Sequence, residues 1–154
     1  MKLAKFVIAT ALLSSSACAC ACAVQPEHYL AYEAKVKSCV EIEKRKPAIS
    51  LEQLIGLPRE AVAKGVFYYK AKNLVDCSAK EELYSLAQAL VFNDSSDIDM
   101  AALTYMYLSI ALVGKESDFN QVPSNVRNKI EKALQNRNLE VNLVSLYDKL
   151  GTMK

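Results

Sequence analysis

The chain has 154 residues, 19 of them basic and 17 acidic, with one histidine, four glycines, five cysteines and no tryptophan. So few histidines and glycines leave no H-E-x-x-H pair and no glycine-rich phosphate loop, which removes the metal, nucleotide and dinucleotide classes and leaves no cofactor expected. The near-balance of charge lacks the broad positive field that favours nucleic acid or an anionic lipid surface.

Residues 1–23 read as an export signal. Lys2 and Lys5 form a basic start, Phe6 to Leu13 an uncharged apolar stretch, and Ser14 to Ala23 are small enough for a peptidase groove. The apolar stretch falls short of the roughly 20 residues of a membrane-spanning helix. Ala21-Cys22-Ala23 before Val24 is an A-x-A cleavage pattern, giving a signal over 1–23 and a single domain over 24–154, periplasmic or secreted. The competing reading is lipoprotein processing before Cys18 or Cys20, which makes that thiol an acylated N-terminus and anchors the chain to a membrane. Ser15-Ser16-Ala17-Cys18 resembles a bacterial lipobox without its usual leucine. Because Lys2 and Lys5 leave with the signal, 17 of the 19 basic residues remain against 17 acidic ones.

From Val24 onward the periodicity is helical. Tyr29, Tyr32, Val36, Cys39 and Val40 share one face of a helix from about Glu27 to Arg45, which Pro47 ends. Ser50 with Gln53 forms a capping box for a short helix stopped by Gly56, and Pro58 suits the first turn of the next. That third helix, to about Val75, carries Ala61, Val62, Gly65, Val66 and Tyr69 on one stripe, with Gly65 placed for close backbone approach. Ser78 and Glu81 repeat the capping box, predicting a new helix whose core stripe is Leu83, Leu86, Ala87, Leu90 and Val91. Asn93 to Ser96 is a turn, and the apolar run from Ile98 to Val113 predicts the central helix, followed by Gly114 and a polar loop to Pro123. Val126, Ile130 and Leu134 mark another helix, and Leu139, Leu143, Leu146, Tyr147 and Leu150 the last, with Gly151 as its stop. No segment alternates with period two, so the expectation is an all-α bundle of about six helices in antiparallel hairpins.

Cys39 and Cys77 remain as a pair after cleavage, and an even count in an exported chain favours a bridge. The two intervening helices can return the chain beside its start, so a structural disulfide is expected. The pair lacks the C-x-x-C spacing of a redox centre. His28, close to the predicted cut, is a solvated helix-start residue in this reading and not a catalytic base. Glu41 with Glu43, Glu81 with Glu82, and Asp97 with Asp99 are carboxylate pairs in polar stretches or at helix starts, with Glu81 read as a cap residue and the others as solvated or interacting with the helix dipole. Asp94, Asp97, Asp99, Glu116 and Asp118 are expected to match the charge of Arg127, Lys129, Lys132 and Arg137 on the neighbouring helix.

Tyr69 and Tyr105 are expected in the core. Tyr68 and Tyr107 point elsewhere and are the interface candidates, together with the acidic stretch Asp94, Asp97 and Asp99. The run from Tyr105 to Ala111, then Gly114 and Val126 to Ile130, resembles the closing helices of Sel1-type and related tetratricopeptide-like proteins over about a third of the mature chain, without their tandem copies. That resemblance implies a concave protein-binding surface and no catalysis. With an export signal, an all-α fold and no catalytic motif, the expected function is that of an exported, non-enzymatic protein-binding or adaptor protein, in the manner of pilotin-like assembly factors. Two alternatives stand beside it: an immunity or inhibitor protein that blocks a toxin or hydrolase, and a hydrolase working with carboxylates alone. In the first two readings the partner is another protein, with no nucleic acid and with a membrane only through a lipid anchor.

Overall fold

The computed structural model describes residues 27–92, 103–104 and 106–152. Among them the chain is all-α, with no strand, and holds five α-helices where about six were expected. In chain order these are α1 (Glu27–Lys44), α2 (Arg59–Phe92), α3 (Leu108–Asn120), α4 (Ser124–Leu134) and α5 (Leu143–Thr152), with one 3-10 turn at Leu51–Gln53 between α1 and α2. No helix among the described residues is long and apolar enough to cross a membrane.

The lower count follows from α2. Its 34 residues run through the expected boundary at Ser78, making a rod about 50 Å long at 1.5 Å per residue. Ser78 does not cap a new helix, because its Oγ donates back to the Leu74 carbonyl within the same helix at 2.8 Å. The other expected capping box also fails to form. Ser50 makes no side-chain cap, its hydroxyl pairing with Glu52 instead, and the segment closes only a single 3-10 turn before Gly56 at φ 75°.

The predicted helix over Ile98–Val113 is interrupted. Tyr107 is extended, at φ −119° and ψ 120°, and α3 starts at Leu108 and continues through Gly114 to Asn120, where a polar loop was expected. At the C-terminal end, α5 starts at Leu143, not Leu139, because Asn142 Oδ1 accepts the amide hydrogens of Val144 and Ser145 as an N-cap. It extends past Gly151 to Thr152.

Helices α1 and α2 form an antiparallel hairpin, with His28 against Tyr84, Cys39 bonded to Cys77, and Glu43 against Asn73. The Cys39–Cys77 disulfide is present, its Cα atoms 6.0 Å apart. Closing a loop of that 38-residue separation stabilises the fold by about 4 kcal/mol on the chain-entropy model. Helix α3 lies antiparallel to α2 on another side, pairing Ser109 with Glu82 at one end and Phe119 with Tyr68 near the other.

The main core gathers at the N-terminal half of α2. Val62, Val66, Phe119, Ile130, Leu134, Leu139 and Leu146 are all buried there. A Cβ at Gly65 would overlap Ile130 Cγ2, so the expected close approach is made to α4. A second, smaller cluster of Tyr32, Leu103 and Tyr107 sits at the far end of α2.

Candidate functional site

At that far end α2 is turned inside out. A helical stripe drawn in steps of three and four from Val62 passes Val66, Tyr69, Asn73, Asp76, Lys80, Leu83, Ala87 and Leu90. Its first members are buried or half-buried against the main core. From Asp76 onward the stripe is exposed, Leu83 to 66% and Leu90 to 47%, with Ala87 exposed between them. The face turned inward over the same length is Ala71, Leu74, Ser78, Glu82 and Ser85, and it becomes polar as it goes. Of the expected core stripe, Leu83, Ala87 and Leu90 are thus on the surface and Leu86 packs partly against the second cluster, while the Val91 side chain lies outside what the structure describes.

The inward polar groups are held by the start of α3. Where the chain extends at Tyr107, the amides of Leu108 and Ser109 lose their intrahelical acceptors. The Leu108 amide donates to the Tyr32 hydroxyl at 3.1 Å and the Ser109 amide to Glu82 Oε1 at 2.7 Å. Residues of α1 and α2 therefore cap α3. Glu82, at 2% exposure, also places a negative charge at the positive end of the helix dipole. Its second oxygen, Oε2, has no hydrogen-bond partner among the described residues. The Ser85 and Tyr107 hydroxyls share a hydrogen bond at 3.0 Å, and the Tyr32 and Tyr107 rings stack at 5.7 Å. Burial pushes the Tyr32 hydroxyl up to about 12, the Leu108 amide working against that shift and the nearby Glu82 carboxylate with it.

A second buried acid, Glu43, does similar work elsewhere. It accepts the Leu139 amide and the Asn73 side-chain amide and pairs with Lys46 at 2.6 Å, tying the α4–α5 linker to the first hairpin. Glu43 and Glu82 were expected to be solvated or to interact with a helix dipole; both are buried, each accepting a backbone amide of a distant segment, and only Glu82 does so at a helix start. They do not form a pair: one sits beside Asn73 and the other beside Ser109. Grooves around Ile49 and Val141, Tyr69 and Gln135, Phe67 and Lys115, and Pro58 and Gln121 each have at most one acidic residue in their lining. Among the described residues no cluster of His, Cys, Asp or Glu has the make-up to hold a metal ion.

The other expected site residues divide. Tyr107 is 1% exposed and belongs to the second cluster, so it is not a surface group. Tyr68 is half-buried, its ring stacked on Phe119 at 5.4 Å and edge-on to Tyr69 at 4.9 Å, which makes it part of the main core's rim. Tyr69 packs on the same core, and burial raises its hydroxyl pKa. His28 is exposed and stacks on Tyr84 at 5.9 Å. Cys18, Cys20, Asp94, Asp97, Asp99 and Tyr105 lie outside the described residues. The expected charge match is absent among the described residues: Glu116 and Asp118 form no ion pair with the following helix, and Arg127 bonds the Asn120 side chain at 2.6 Å.

Comparison with known protein families, curated proteins and solved structures finds no match. What the fold defines is a small, disulfide-linked, all-α domain with an outward apolar helix face.

Proposed function

We propose that the chain is an exported, non-enzymatic protein that works by docking other proteins on the C-terminal half of α2. The observation that carries this reading is the inversion of that half, which exposes Leu83, Tyr84, Ala87 and Leu90 while Ser78, Glu82 and Ser85 face inward. Exposed large apolar side chains gathered on one helix are costly in a monomer and mark interaction surfaces. The buried carboxylates, each engaged with backbone amides, support a scaffold role over acid–base chemistry. The leader-like residues 1–23 and the Cys39–Cys77 bridge support an oxidising, non-cytosolic address.

The test is site-specific photo-crosslinking in the producing cell, with a benzophenone side chain at position 83 or 90 and, as control, at the equally exposed Val144 on α5. Protein adducts at 83 and 90 but not at 144 are expected. Equal labelling at all three positions, or none, overturns the docking reading.

A further inference from the structure

We infer that Tyr107 is a two-position hinge. Its bent state is held by α1, and when the start of α1 lifts away the chain from Leu103 to Ala111 closes into one continuous helix.

The bend is one residue deep. Leu103, Thr104 and Met106 are helical before it, and α3 follows it. The Tyr107 amide donates to the Leu103 carbonyl at 2.9 Å and the Ala111 amide to the Tyr107 carbonyl at 3.3 Å, both across the four-residue step of an α-helix. Tyr107 itself leaves that conformation, with ψ at 120° where a helix needs about −42°. No proline or glycine demands the change, and the apolar run through this stretch favours an unbroken helix. Local preference and fold disagree at this residue, so the bend is held from outside the segment.

The holding groups lie on α1 and α2. Bending takes the Leu108 and Ser109 amides out of the helix ladder, and their replacement acceptors are the Tyr32 hydroxyl on α1 and Glu82 on α2. Tyr32 also supplies the ring on which Tyr107 stacks and completes the buried cluster that takes up Leu103. Even so the bent state carries a cost, because Glu82 Oε2 is buried without a hydrogen-bond partner among the described residues. Lifting Tyr32, whose hydroxyl feels the Glu82 charge, admits water to that oxygen and relieves the cost.

The cystine does not prevent the lift. Tyr32 stands seven residues before Cys39, about 10 Å along α1. Among the described residues no ion pair joins the first three turns of α1 to α2 or α3. Ring contacts and the small apolar cluster hold them, with His28 on Tyr84 and Tyr32 on Tyr107. The hinge thus couples the position of α1 to the direction of the chain entering α3, and any molecule that favours a lifted α1 shifts it by its difference in affinity for the two states.

NMR of the full disulfide-bonded chain reads the hinge at Tyr107, whose Cα shift separates extended from helical backbone. The parent protein is expected to give the extended value. Tyr32→Ala is expected to give the helical one, with the Leu108 and Ser109 amides keeping their exchange protection within about tenfold because they rejoin the ladder. Adding Leu108→Pro to that variant should return Tyr107 to the extended value, since the residue before a proline is disfavoured in the helical region while proline itself suits a first helical turn. An extended Tyr107 in Tyr32→Ala, or a larger loss of protection without a helical shift, overturns the inference. Should Tyr32→Ala fail to fold, as judged by the shifts of Ile130 and Leu134, saturation-transfer NMR of the parent protein decides. A minor state with a helical Tyr107 shift supports the hinge, and its absence overturns it.

Discussion

The two halves of α2 obey opposite rules within one unbroken helix. Around Ala61 to Tyr69 the inward side is apolar and made tight by Gly65 against Ile130. Around Ser78 to Leu90 the fully buried inward residues are Ser78, Glu82 and Ser85, and Leu83 and Leu90 point out. The first half is stabilised by removing apolar area from water, the second by satisfying the amides that the break at Tyr107 leaves open. A helix can change partners along its length without changing its backbone, and the surface left uncovered then differs from what either half would leave alone.

The contrast can be broken most severely at the apolar end. Ile130→Ala, at a fully buried position, should lose about 3 kcal/mol in a denaturant titration; a loss below about 1 kcal/mol would remove the distinction between the halves. Glu82→Ala leaves the Ser109 amide without its acceptor and should lose about 2 kcal/mol, while Glu82→Gln, which keeps an acceptor, should lose less than half of that. If the two variants are equal, the capping role of Glu82 is wrong. Tyr32→Phe removes the acceptor for Leu108 and should lose about 1 kcal/mol near neutral pH. The folded Tyr32 hydroxyl titrates above its ordinary value of 10.0, so its stabilisation is complete below pH 10 and is lost as pH rises towards about 12. The gap between Tyr32→Phe and the parent protein should accordingly shrink over that interval of an alkaline melt. Least of all, Leu83→Ser should shift monomer stability by no more than about 0.5 kcal/mol, and a core-sized loss would place Leu83 inside.

Much of the fold was legible in the residue pattern. Pro47 and Pro123 mark real boundaries, Gly65 makes its close approach, and the Cys39–Cys77 bridge follows from parity and reach. Periodicity located the stripe at Leu83, Ala87 and Leu90, but a period identifies a face and not the direction it looks. The box at Ser78 and Glu81 misled because a serine that bonds its own helix four residues back reads the same locally as one that starts a helix. Burial of Glu43 and Glu82 was hidden because their partners, the Leu139 and Ser109 amides, lie far off in sequence and become acceptor-less only through tertiary bends. The break at Tyr107 had no signal of its own, since no glycine or proline stands there.

The position of the cystine gives α2 a mechanical asymmetry. Cys77 fixes the helix to α1 near its middle, and the outward leucines all lie on the far side of that joint. That far side is held both by the covalent link to α1 and by the Glu82–Ser109 contact to α3, while Ile130 and Leu134 pack on the other side of the joint. The beam is thus anchored at its waist, with the well-packed core on one side of that joint and the outward leucines on the other.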